Sequence, residues 1–160
     1  MNDIVTFNNQ SQMFHNLKCE LERFSRGGQP FSIVLVRVHD EEHKQIILKS
    51  FRVATRIFDE IFEYKNNNDL LLSLKHCNAS GAFLFIKRLK ITLKEHGMIN
   101  NIFEACVVDP IPGDDIQNLL THLEQDLAKI SESGLGEVGQ YQDISPLKRF
   151  ADQIKGKLNT

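Results

Sequence analysis

Residues 60–74 read EIFEYKNNNDLLLSL, in which two short apolar runs flank a cluster of asparagines. Asparagine tolerates the left-handed backbone region better than most residues do, so residues 65–69 are predicted to form the tip of a hairpin. The runs 60–64 and 70–74 are then its two antiparallel strands. This hairpin lies near the middle of the 160 residues, and the rest of the fold is predicted outward from it.

The segments on both sides of the hairpin alternate between helical and strand patterns. Apolar residues recur at helical spacing over 9–26, 46–58, 82–95 and 116–130, and the second of these stripes contains Ile47, Phe51, Ala54 and Phe58. Residues 31–38 form a continuous β-branched run, which is typical of a strand buried on both faces. Further strands are predicted over 101–108 and 138–144, with a charged turn over 39–44. This order predicts an α/β (α+β) sandwich, a mixed sheet of about five strands flanked by helices.

The composition predicts one globular domain. Apolar residues make up 41% of the chain and charged residues 25%, and the formal net charge is −2, so neither a nucleic-acid partner nor an anionic membrane surface is suggested. No apolar run approaches the length of a membrane span. The three cysteines form no CxxC pair, which argues against a disulfide scaffold and favours a reducing, cytoplasmic location. The domain is expected over 1–145, followed by a helical tail over 146–160.

Several stretches, taken in order, resemble a GGDEF domain, the fold of bacterial diguanylate cyclases. Residues 21–36, LERFSRGGQPFSIVLV, are similar to the family's first helix and first strand, and Arg56-Ile-Phe-Asp59 is similar to its RxxD inhibitory-site motif. The five-residue spacer 60–64 then leads to the position of the GGDEF signature. Residues 119–129 and 134–141 are similar to the last helix and the closing strand, so the resemblance covers roughly 10–144.

The signature loop departs from the family pattern. The family's glycines let the backbone approach the phosphates of GTP, and its acidic residue binds the metal. Here the loop reads Lys65, Asn66, Asn67, Asn68 and Asp69, without glycine, and the metal-binding acid falls on Asn67 or Asn68. Asparagine is a poor ligand for a hard cation compared with a carboxylate.

Two further parts of the cyclase machinery are missing. Arg37 stands near the position where the family's first strand ends in a metal-binding aspartate. The segment between that strand and RxxD is shorter than in the family and lacks the elements that hold guanine. Because phosphoryl transfer depends on positioning and on metal electrostatics, we expect no cyclase activity, no catalytic residue, no metal and no cofactor.

The resemblance implies that the inhibitory site, which binds cyclic di-GMP in the family, is retained. The two-pronged guanidinium of Arg56 matches the O6 and N7 acceptors of guanine, and the carboxylate of Asp59 matches its N1 and N2 donors. With one residue inserted at the hairpin tip, the family's second arginine falls on Arg88, and Lys87 lies beside it. The alternatives are an ordinary surface ion pair for Arg56 and Asp59, and a solvated basic helix face for Arg88 and Lys87.

The leading hypothesis is therefore a non-catalytic, degenerate GGDEF domain that acts as a bacterial second-messenger receptor. It binds cyclic di-GMP and signals to a protein partner, taking two dinucleotides per chain or bridging two chains into a homodimer. A second hypothesis is a protein-interaction module of the same fold that has lost nucleotide binding. A third is a residual enzyme, either a weak cyclase or a zinc hydrolase at His39 and His43, whose spacing fits an H-x-x-E-H motif.

Overall fold

A computed structural model describes residues 10–65, 69–97, 103–133 and 138–140 of the chain. The elements in these residues are α1 (Gln10–Ser25), β1 (Phe31–Val38), α2 (Glu41–Ala54), β2 (Glu60–Glu63), β3 (Asp69–Lys75), α3 (Ala79–Glu95), β4 (Phe103–Val108), α4 (Ile116–Ser133) and β5 (Val138–Gln140). The predictions for Asn66, Asn67 and Asn68, for 141–144 and for the tail 146–160 lie outside the described residues.

The strands form one mixed sheet in the order β2-β3-β1-β4-β5. The predicted hairpin is present as the antiparallel pair β2 and β3, and β1 is antiparallel to both β3 and β4. The last pair, β4 and β5, is parallel. The predicted α/β class with a five-stranded mixed sheet is therefore confirmed.

The helices cover the sheet on two faces, and β1 supplies side chains to both. Val34, Val36 and Val38 pack under α2 and α3, whereas Ile33 and Leu35 pack under α1 and α4. Successive residues of a strand point to opposite faces. Arg37 lies on the same face of β1 as Ile33 and Leu35. Its positively charged side chain is therefore on the α1 and α4 side of the sheet.

The bounds of α2 differ from the prediction at both ends. The helix begins at Glu41 because the Asp40 side chain accepts a hydrogen bond from the Glu42 amide at 3.0 Å and caps the first turn. The predicted charged turn is thus mainly the start of the helix. At the other end Thr55 is extended, so Phe58 lies in the following loop and not on the helix. In the described part of the chain, no helix combines the length and the apolar character needed to cross a membrane.

Candidate functional site

The RxxD motif forms the loop between α2 and β2, and its carboxylate faces inward. The Asp59 side chain is only 2% exposed. Its Oδ2 accepts a hydrogen bond from the Arg56 backbone amide at 2.9 Å, and its Oδ1 accepts one from the Lys75 amide at 2.8 Å. Asp59 therefore ties this loop to the end of β3. Reading a guanine edge with the same oxygens would require an exchange of these hydrogen bonds.

The Arg56 side chain lies above Asp59 and reaches the surface. Its Nε donates to Asp59 Oδ2 at 3.3 Å, and its Nη2 donates to the Lys75 carbonyl. The guanidinium carbon lies 4.6 Å from the centroid of the Phe58 ring, and 46% of the Arg56 side chain remains exposed. A guanidinium held in this way is oriented in advance for a planar, hydrogen-bonding ligand.

Phe58 lies in the RxxD loop, although the sequence prediction placed it on the apolar stripe of a helix. It is nearly half exposed, and its ring packs edge-on against His76 with the centroids 5.6 Å apart. An exposed aromatic ring next to an arginine offers a surface on which a base can stack. Its position inside the RxxD motif could have indicated that Phe58 lies in a loop, because α2 ends before that motif begins.

Arg88 and Lys87 lie in the middle of α3. The helix begins at Ala79, and Arg88 follows nine residues later, about 13 Å along the axis at 1.5 Å per residue. Arg88 borders a groove between α2 and α3. Lys87 lies next to it on the helix, with its Nζ 5.2 Å from the centroid of the Phe83 ring. Within the described residues Arg56 and Asp59 are in contact with each other. A ligand that touched both Arg56 and Arg88 would have to span the first turns of α3.

The end of the signature loop forms an ion pair with β1. Asp69 is the first residue of β3 and not part of the hairpin tip, which corrects its predicted place in the loop. It lies directly opposite Arg37 in the antiparallel register. The Arg37 Nε and Nη2 donate to Asp69 Oδ1 and Oδ2 at 3.1 and 3.2 Å. This hydrogen bonding raises the pKa of Arg37, although burial acts in the opposite direction.

A second carboxylate lies on the other side of Arg37. Glu104 on β4 is the cross-strand partner of Arg37 and is fully buried. The His39 Nε2 lies 3.0 Å from Glu104 Oε1. The side chain of His39 therefore faces the sheet. His43 has a different partner, since its Nδ1 lies 3.5 Å from Asp40 Oδ2. In the described residues, His, Cys, Asp and Glu form no group of three or more that could hold a metal ion.

Helix α4 adds a third carboxylate to this end of the sheet. Glu124 accepts a hydrogen bond from the Tyr64 hydroxyl at 2.6 Å, and Lys65 Nζ lies 2.9 Å from the same oxygen. Burial favours the neutral carboxyl, but the hydrogen bonds from Tyr64 and Lys65 outweigh it, so the pKa of Glu124 is lowered. Burial and the bond to Glu124 raise the pKa of Tyr64 well above its usual value. Each end of the signature loop is therefore held by an ion pair, Lys65 with Glu124 at one end and Asp69 with Arg37 at the other.

The fold is that of GGDEF domains. The active GGEEF domain of a diguanylate cyclase from Vibrio cholerae matches with a TM-score of 0.70 and 16% identity over 84% of this chain and 97% of that chain. The GGDEF domain of DgcB from Caulobacter crescentus in complex with c-di-GMP matches with a TM-score of 0.72 and 9% identity over 88% of this chain and 94% of that chain. Diguanylate cyclase SiaD from Pseudomonas aeruginosa, in complex with its activator SiaC, matches with a TM-score of 0.67 and 14% identity over 82% of this chain and 58% of that chain. No protein-family model and no curated protein matches the chain.

Proposed function

We propose that this GGDEF-like domain is a non-catalytic receptor that binds cyclic di-GMP and signals to a protein partner. The observation that carries the loss of catalysis is the ion pair between Arg37 and Asp69. The resemblance puts Arg37 near a metal-binding position, where metal-dependent phosphoryl transfer needs carboxylates that are free to hold cations. Here a fixed guanidinium occupies both oxygens of Asp69 and repels a second cation.

The RxxD loop is the proposed ligand site. The exposed edge of Arg56 donates to guanine O6 and N7, and the Phe58 ring provides a stacking surface beside it. Asp59 acts as the positioning residue for Arg56, while Arg88 and Lys87 contact a phosphate or the second guanine. DgcB in complex with c-di-GMP supports this ligand class, and SiaD in complex with its activator SiaC supports a protein partner.

Catalytic silence is the first expected result. Purified protein incubated with GTP and Mg²⁺ should form no cyclic di-GMP, because asparagine stands at the expected metal-binding position of the loop and Asp69 is already paired with Arg37. Product analysis by liquid chromatography and mass spectrometry measures this directly, with an active diguanylate cyclase as the positive control. Synthesis above the no-enzyme background would contradict the proposal.

Arg56→Ala is expected to weaken cyclic di-GMP binding roughly ten- to a hundredfold, since one good two-pronged contact to guanine contributes about 1–3 kcal/mol. Isothermal titration of wild type and variant measures the affinity and the number of dinucleotides per chain. Light scattering on the same samples reports whether the ligand bridges two chains.

The matched control for Arg56→Ala is Arg52→Ala, which removes an arginine from the last turn of α2 without touching the RxxD loop. Arg52→Ala should bind like wild type, whereas Arg88→Ala should lower affinity without changing the fold. If Arg56→Ala also binds like wild type, the ligand is held elsewhere and the site assignment fails.

A second candidate function is a protein-interaction module without nucleotide binding. It is favoured by the apolar side chains exposed around the RxxD loop, because Val53 is 88% and Ile57 is 90% exposed. The same titration separates the two functions, since this candidate predicts no heat of binding with cyclic di-GMP.

A further inference from the structure

A groove of about 820 Å³ lies between α2 and α3, on the outer side of the helical layer. Its walls and floor are mainly apolar and include Ile46, Val53, Phe85, Leu89 and Leu93. Leu89 and Leu93 are buried, whereas Ile46 is 46% and Val53 88% exposed along the rim. Soluble proteins rarely expose a contiguous apolar surface of this kind unless something binds there.

The charges along the groove have one sign. Lys49 on α2 and Arg88 on α3 line it, with His96 at one end, and no aspartate or glutamate is among the described residues that line it. On the outer face of α3, Leu84 and Ile91 flank Arg88 and are 50% and 56% exposed. The surface therefore combines an apolar trough with cationic edges.

We propose that this groove is the docking surface for an acidic amphipathic helix of a partner protein. The apolar stripe of that helix fills the trough, and carboxylates on its flanks pair with Lys49 and Arg88. The α3 wall runs from Gly81 to His96, about 22 Å, which accommodates about four helical turns. Helix-in-groove recognition of this kind reads apolar anchors at positions i, i+3, i+4 and i+7.

Charge argues against two other occupants, a second copy of this chain and its residues 146–160. A second copy of the same face would bring Lys49 and Arg88 against identical cations. Residues 146–160 are also cationic, with one acidic residue, Asp152, against Lys148, Arg149, Lys155 and Lys157. Like charges across an interface are costly, so the complementary occupant is an acidic segment of another protein. Docking of this helix needs no nucleotide, but Arg88 lines the groove and also belongs to the proposed dinucleotide site, so the two sites share this residue.

The probe is a fluorescein-labelled amphipathic helical peptide of about 16 residues, with a leucine stripe and glutamate flanks. Its twin carries lysine in place of every glutamate. Fluorescence anisotropy with the full chain, in the absence of nucleotide, should show binding of the acidic peptide and at least tenfold weaker binding of the twin. The double variant Lys49→Glu/Arg88→Glu should reverse this preference.

Val53→Asp should weaken binding of the acidic peptide at least tenfold. Its matched control is Ile57→Asp, because Ile57 is equally exposed but does not line the groove. Circular dichroism melting of both variants should match wild type, since neither position is buried. Equal binding of the two peptides, or an affinity unchanged by Val53→Asp, would overturn the proposal.

Vesicles containing anionic lipid provide the last arm of the test. Vesicle binding that is lost in Val53→Asp, without peptide binding, would assign the groove to a membrane surface instead of a protein helix. The peptide measurements are made without nucleotide, so a negative titration with cyclic di-GMP does not change how they are interpreted. A negative peptide result likewise does not change the interpretation of that titration.

Discussion

Replacing Arg37 with methionine is expected to lower the free energy of unfolding by about 3 kcal/mol. The substitution removes the guanidinium that pairs with both oxygens of Asp69, whose side chain is only 4% exposed. Loss of one partner of a buried ion pair costs about 3–5 kcal/mol, and the lower end applies here because 30% of Arg37 is exposed. Fully buried Glu104 lies opposite the same residue and also loses the favourable electrostatic interaction with Arg37.

Urea unfolding of a double-mutant cycle measures this effect. Arg37→Met/Asp69→Leu should recover most of the loss, because an apolar pair of similar volume can replace a buried ion pair. Arg26→Met is the control, since the Arg26 pair with Glu22 lies on the exposed surface of α1 and is expected to contribute less than about 1 kcal/mol. A single Arg37→Met variant as stable as Arg26→Met would contradict the inferred role of the pair.

Asp59→Ala is expected to lower the free energy of unfolding by about 3 kcal/mol, because the backbone amides of Arg56 and Lys75 lose their buried acceptor. Asp59→Asn keeps one acceptor oxygen and should cost less. Arg56→Ala should cost less still, since nearly half of its side chain is in solvent. Thermal and urea unfolding of the three variants give this order.

These stabilities decide how ligand binding by the RxxD variants is interpreted. Arg56→Ala tests a contact with the dinucleotide, whereas Asp59→Ala tests a loop anchor that also orients Arg56. If Asp59→Ala were as stable as wild type, the carboxylate would be available to a ligand and its buried role would be wrong.

The sheet and its hairpin could be predicted from the sequence because they rest on strong local signals. The asparagine cluster between two apolar runs indicates the turn, and the β-branched run in β1 indicates a strand with both faces covered. The bounds of α2 were harder to predict. In the sequence the apolar stripe continues to Phe58, but in the structure the helix ends at Ala54 and Thr55 is extended. At the other end, the apolar pattern does not show that Asp40 caps the helix, since this role depends on the hydrogen bond that its side chain accepts from the Glu42 amide.

The site could be predicted only as a set of residues. The spacing of Arg56 and Asp59 is the same for a ligand clamp and for an internal anchor, and only the fold determines that both carboxylate oxygens accept backbone amides. The partner of Arg37 depends on the register between β1 and β3. The sequence leaves this register open, because the position of one inserted residue at the hairpin tip is ambiguous. The groove between α2 and α3 depends on how two helices lie side by side, which no local pattern specifies.

The ion pair between Arg37 and Asp69 also has an evolutionary consequence. Arg37→Asp alone would place a third carboxylate between Asp69 and Glu104. Repulsion among buried like charges would destabilise that intermediate before a complete metal site existed to stabilise it. Substitution of Asp69 alone would leave the cation of Arg37 in place. Building a set of metal-binding carboxylates at this end of the sheet would thus require several coordinated substitutions, and the pair restricts which single substitutions the protein can accept here.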